Sequence, residues 1–357
     1  MINSLDSRQS VLIKAMRFPL IVLVVFAHSL GFGNVAVSAS LDSWNVYHFF
    51  SEMISHNLAR LAVCWFFAIS GYFFFRNLKD GEFNFSWVAG KWKKRVFSLL
   101  IPYLIWNLLI VGLGALKSLV FSKLGIGGHN EMPTGNLLEW LWLGPANFPL
   151  YFMRDLMIMS LVAPLWYLIV KKVKWPSLAL LILVYVSPLQ PAIPGMRAIF
   201  FFGVGAWLGI WRVNMLRLAR MVKWPVAVVS VILLLLASYF NSSQYHEWML
   251  RAFYPFGMLT FMNIIDKLID KDSRRERLCN LASAVFFIYA AHEVFILGWT
   301  KGLFLRLVGD GLLGSWISYL LVPVVVILVC LILYCIFNKL TPRTLAFVSG
   351  GRAKKKI

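Results

Sequence analysis

Residues 316–338 read WISYLLVPVVVILVCLILYCIFN, a run of 23 positions with no charged side chain. A helix rises 1.5 Å per residue, so about 20 apolar residues span the hydrocarbon core of a bilayer. The run predicts a transmembrane helix, and nine similar stretches precede it. They lie at about 18–34, 58–75, 97–118, 148–170, 175–190, 194–211, 224–240, 250–265 and 281–299. The Pro-rich string SPLQPAIPG at 187–195 reads as a tight turn between the fifth and the sixth.

The rest of the composition agrees. Of 357 residues, 60% are apolar and 14% charged, and mean hydropathy is +0.75. Ordinary soluble domains carry about 25% charged residues. A soluble enzyme with this composition would expose large sticky patches, and a disordered chain would leave too much apolar surface in water. The expected fold class is all-α: a polytopic membrane protein of about ten transmembrane helices, both termini cytoplasmic. Residues 1–340 read as one transmembrane domain and 341–357 as a basic cytoplasmic tail.

Charge sets the orientation. Lys and Arg number 35 against 15 Asp and Glu, a net charge of +20. With the N-terminus inside, 27 of those 35 bases fall in inner segments: Arg8, Lys14 and Arg17, then clusters at 76–95, 171–174, 212–223, 267–277 and 339–356. That asymmetry is the positive-inside rule at work, and it excludes nucleic acid as the partner, because no basic stripe lies outside those clusters. Reading the first segment instead as a signal peptide cleaved after VSAS at 37–40 would upset the even helix count and discard His28. The tail RAKKK at 352–356 reads as an inner-surface anchor on membrane lipid.

Four cysteines show no CxxC or metal-type spacing, so neither a disulfide framework nor a zinc site is expected. The loop 121–147 begins with Gly125, Gly127, Gly128 and Pro133, then carries Leu137, Leu138, Trp140, Leu141 and Trp142, the pattern of a short interfacial helix. His129 and Glu131 on that loop are too few ligands to argue for a metal.

Ionisable groups at membrane depth are costly and mark candidate sites. Arg17 and His28 are eleven residues apart, about 20° apart on one helix face and about 16 Å apart along its axis. Arg17 would lie at the cytoplasmic rim, where a guanidinium grips an anion, and His28 deeper, where a neutral imidazole accepts a proton. The plainer alternative is an interfacial anchor and a packed histidine. Four arginines near outer helix ends, Arg60, Arg154, Arg197 and Arg251, read as snorkelling anchors, with an Arg154–Asp155 pair as a further option. Gathered together, they would point to an anionic acceptor such as a phosphate or an acidic sugar.

These residues carry a resemblance. KAMRFPLIVLVVFAHS at 14–29 resembles the opening helix of membrane acyltransferase family 3, an Arg followed after ten residues by a His. CWFFAISGYFFFR at 64–76, KWKKRVFSLLIPYLIW at 91–106 and SAVFFIYAAHEVFIL at 283–297 resemble later elements of the same family, in the same order. Known members move an acyl group, usually acetyl, from cytoplasmic acyl-CoA to a hydroxyl on a carbohydrate or lipid-linked glycan. The resemblance therefore implies O-acetylation at the bacterial inner membrane, with acetyl-CoA as co-substrate and no metal. It implies His28, Arg17 and His292 as catalytic residues. For the donor it implies Arg17, Lys14, Lys93, Lys94, Arg95, Ser70, Gly71 and Tyr103, with Lys91 in the same basic stretch. Two departures stand out: Pro19 close behind Arg17, and PLYFMRDLMIM at 149–159 where many members have a Trp-containing helix with a Glu. Glu293 follows His292, but neighbours on a regular helix point about 100° apart, so the two need not act together. Ser70 and Gly71 also fit simple close helix packing. A transporter or flippase of a lipid-linked saccharide is the rival function, though it would have no need of the Arg17–His28 spacing.

Overall fold

Each apolar stretch named above contributes a helix in the computed structural model, which describes residues 4–30, 35–38, 40–79, 81–123 and 136–351. The helices are α1 (Ser4–Ser29), α2 (Leu61–Phe75), α3 (Ile101–Lys123), α4 (Tyr151–Lys172), α5 (Lys174–Tyr185), α6 (Met196–Ile210), α7 (Lys223–Tyr239), α8 (His246–Leu268), the broken α9 (Val285–Val308) and α10 (Leu312–Leu340). Among the described residues there is no strand. The Gly-rich start of the 121–147 loop, with His129 and Glu131, and the tail 352–356 lie outside them.

Length separates these helices. Among the described residues, five continuous stretches are long and apolar enough to cross a bilayer: α1, Ser43–Phe75, Phe85–Lys123, Phe148–Lys172 and α10. Two bent pairs raise the number to seven, α6 with Met215–Met221 at 105° and Asp272–Leu281 with α9 at 46°. α5 has 12 residues and covers about 18 Å, short of the hydrocarbon thickness. The ten-span expectation thus meets five to seven full-length candidates. The Pro-rich string does form the turn between α5 and α6, and residues 137–143 form a short helical segment as expected.

α1 is the hub. It packs against α2, α8, α9 and α10, and its residues Leu12, Ile13, Met16, Leu20, Ile21 and Val25 are almost wholly buried. The helix continues through Pro19. Its last carbonyls have no partner within the helix, as at any helix end. Neighbours supply them: Ser55 Oγ donates to the Phe26 carbonyl at 2.8 Å and Lys301 Nζ to the His28 carbonyl at 2.8 Å. Ser55 belongs to a wide-turn helix, Glu52–Leu58, whose Glu52 and His56 pair at 2.7 Å and whose Asn57 bonds Ser238 and His246.

At the opposite end α1 is fastened by ions. Arg8 reaches Asp266 at 2.6 Å and Asp270 at 2.5 Å, Arg220 reaches Asp266 at 2.6 Å, and Arg76 reaches Asp6 at 3.3 Å. Both ends of the helix that carries Arg17 and His28 are therefore fixed by side chains from other elements.

The closest helix pair is α2 with α6. A Cβ on Gly71 would overlap the Phe202 carbonyl, and one on Gly205 would overlap the Ala68 carbonyl. Small residues allow backbones to meet where lipid gives no hydrophobic drive to association. Packing explains Gly71 in full.

Candidate active site

α1 presents Lys14, Arg17, Ile21, Val24 and His28 to a cavity of about 530 Å³. Those positions are spaced three, four, three and four residues apart, which is one stripe of a helix. α2 supplies Val63, Phe66, Ser70 and Phe73, again on one face, and α4 and α9 add Phe152, Met153, Phe286 and Tyr289. Arg95, at the end of helix Phe85–Arg95, and Leu99, in the wide-turn segment that follows it into α3, complete this wall.

One end of the cavity is basic. Lys14, Arg17 and Arg95 line it, and no Asp or Glu does. Among the described residues Arg17 and Arg95 form no ion pair, and Arg95 stands over the Phe74 ring at 5.6 Å. Cations without a counter-charge at the edge of an apolar chamber favour an anionic ligand.

The other end holds a cluster around His28. Within α9, the segment His292–Ile296 breaks the helix: Val294 has ψ 77 and Phe295 has φ 61, a left-handed conformation rare for a bulky side chain. Glu293, just ahead of those two residues, faces α1, with its Oε1 at 3.2 Å from His28 Nδ1. His292 is wholly buried, its ring 5.2 Å from that of His28. Its Nδ1–H donates to the Ile288 carbonyl at 3.0 Å, which fixes the tautomer and leaves Nε2 as an acceptor with no partner. Lys301, already on the His28 carbonyl, completes the group.

His28, His292 and Glu293 also offer metal-ligand atoms within 4.8 Å of one another. Two nitrogens on one zinc sit about 3.3 Å apart, so the set as it stands is wider than a tetrahedral site.

The structure thus brings together Arg17, Lys14, Arg95, Ser70, His28 and His292. It does not bring Tyr103 there: that residue is buried elsewhere and its hydroxyl donates to the Leu141 carbonyl. Lys93 and Lys94 are exposed at the end of helix Phe85–Arg95, outside the lining, and Gly71 faces α6. Glu293 and Lys301 were missed as site residues, although an acid inside an apolar run was itself the signal.

The outer arginines divide. Arg154 pairs with Asp155 at 2.9 Å and donates to the Trp142 and Leu143 carbonyls, tying the 137–143 segment to α4. Arg251 donates to the Tyr185 and Ser187 carbonyls and so holds the turn after α5. Both are structural clasps.

Residues 11–335 match a family model described as an acyltransferase domain. The succinoglycan biosynthesis protein ExoH of Rhizobium meliloti (strain 1021) is 26% identical over 373 residues, covering 99% of this chain and 95% of its own. No solved structure matches.

Proposed function

Because this chain belongs to the acyltransferase family, we propose that it is an integral membrane O-acyltransferase acting on a carbohydrate of the cell envelope or a lipid-linked glycan. The relative named for succinoglycan biosynthesis supports a polysaccharide acceptor, and its bacterial source supports the cytoplasmic membrane as the location. The donor is cytoplasmic acyl-CoA, with acetyl as the acyl group that the family resemblance implies.

One observation carries this reading: a single cavity has unopposed Lys14, Arg17 and Arg95 at one end and His28 at the other. CoA is a phosphate-bearing carrier with a long flexible arm. Its phosphates suit the guanidinium end, and the arm takes the thioester the remaining distance along α1, about 16 Å at 1.5 Å per residue.

The reaction needs a base, because a sugar hydroxyl is a poor nucleophile until its proton leaves. Glu293 stands at Nδ1 of His28, so Nε2 takes the hydroxyl proton. The freed oxygen attacks the thioester carbonyl, the tetrahedral intermediate collapses, the C–S bond breaks, and the imidazolium returns the proton to the CoA thiolate. Glu293 stabilises the imidazolium in between. The apolar walls of Val24, Phe66 and Phe286 exclude water that would hydrolyse the thioester.

The test uses purified chain in nanodiscs with radiolabelled acetyl-CoA and envelope glycan from cells lacking the gene. His28→Ala should lose transfer by about 10²–10⁴-fold while still binding acetyl-CoA. Unchanged transfer in that variant would falsify the assignment. Glycan movement without acyl transfer would favour the flippase reading.

A further inference from the structure

A second chamber, of about 270 Å³, adjoins the first, and Val63 and Tyr151 line both. It lies beside the His28 end: Tyr151 packs on Phe148 at 5.5 Å, and Phe148 stands 5.9 Å from the His28 ring. The turn residues Gln190, Pro191 and Ala192 form part of its wall, so it sits on the face opposite the basic clusters.

Its charges are unequally used. Arg154 and Arg251 are the clasps described above. Arg197, on the same wall, makes no hydrogen bond or ion pair among the described residues. Its guanidinium stands 6.0 Å from the Tyr254 ring, and the wholly buried Tyr254 hydroxyl has no hydrogen-bond partner among the described residues. Arg60, at the start of α2, is likewise unpaired among the described residues, and both cations act on Tyr151 and Tyr254 at Coulombic range. Of the two acids on this wall, Asp155 pairs with Arg154 at 2.9 Å and Glu247 lies 4.0 Å from Arg251, and neither forms an ion pair with Arg197 among the described residues. A partly buried guanidinium with no hydrogen bond or ion pair among the described residues leaves its directional donors unused. Structural anchoring accounts for Arg154 and Arg251 but not for Arg197.

We propose that this outer chamber is the acceptor's specificity site and that it binds an acidic group on the glycan, a carboxylate or a phosphate, through Arg197. The guanidinium takes the anion in its two-pronged geometry. Held there, the acceptor presents a neighbouring hydroxyl past Tyr151 toward His28. The inference rests on the acyl-transfer reading above and specifies its acceptor.

The experiment is calorimetric titration of the full chain in nanodiscs with three probes: cellobiouronic acid, cellobiose and glucose 1-phosphate. One of the two acidic probes should bind about 10- to 100-fold tighter than cellobiose, and Arg197→Gln should abolish that preference. Whichever acid is preferred identifies the source of the charge, a sugar carboxylate or a phosphate. Glu247→Gln removes an opposing charge and should tighten the preferred acid by about two- to fivefold, a gain that a misfolded protein cannot give. No preference for either acid in the wild type, or a preference that survives Arg197→Gln, overturns the proposal. Acetyl-CoA titrated into the same preparations separates the two readings. Acid preference without acetyl-CoA binding sinks the donor and keeps this chamber, and the reverse sinks the chamber alone.

Discussion

Glu293 shows how little of a site one side chain reveals until its backbone is known. It leaves the helix about 100° from His292, yet both side chains reach His28, Glu293 at 3.2 Å and the His292 ring at 5.2 Å. In the proposed reaction it is a positioning residue that acts on the chemical step and not on donor binding. Glu293→Gln should lower kcat by about tenfold or more and leave KM for acyl-CoA nearly unchanged, as steady-state kinetics would show. The reverse split belongs to the inner cations. Arg17→Ala removes a charged contact to phosphate and should raise KM about 10- to 100-fold. Lys93→Ala with Lys94→Ala, both outside the lining, should change KM by less than about threefold. Equal effects from the two sets would mean that diffuse charge, and not the cavity, receives the donor.

Among elements, α1 was the most legible. Its eleven-residue Arg–His interval foretold a shared face, and the three-four spacing from Lys14 to His28 is that face seen in full. α9 was the least legible, because its break follows from local backbone geometry that no period announces. Between α2 and α6 the decisive feature is contact between backbones. Gly71→Ala forces its methyl into the Phe202 carbonyl and should cost about 1–3 kcal/mol, lowering the thermal midpoint of the detergent-solubilised chain. Gly112→Ala on α3 meets nothing within 4 Å and should leave the midpoint unchanged or raised. At the inner end of α1, the Arg8 guanidinium holds the Asp270 carboxyl below the usual carboxylate range through a hydrogen bond. That tie is complete above the ordinary carboxylate pKa of about 4 and is lost as pH falls through the lower value of the folded state.

For the whole molecule, hydropathy located the ten apolar helices but not the polar or short ones such as Phe85–Arg95, Met215–Met221 and Asp272–Leu281, and it could not measure how far each helix reaches. α5 is apolar yet only 12 residues long, and α6 turns by 105° into Met215–Met221. The outer chamber was equally hidden, since Tyr151, Arg197 and Glu247 come from three separate helices. Orientation is open to a direct measurement. In a chain with Cys279 replaced by Ala, a membrane-impermeant maleimide should label Ser40→Cys on intact spheroplasts and Lys79→Cys only after permeabilisation. The opposite pattern would invert the topology. The unopposed cations of the inner chamber carry a last consequence. In the proposed reaction they address the phosphates, which the loaded carrier and the spent carrier have in common, so nothing at that mouth tells one from the other. Turnover would then follow the ratio of acylated to free CoA in the cell, slowing whenever the supply of acyl groups runs down, with no separate regulatory site required.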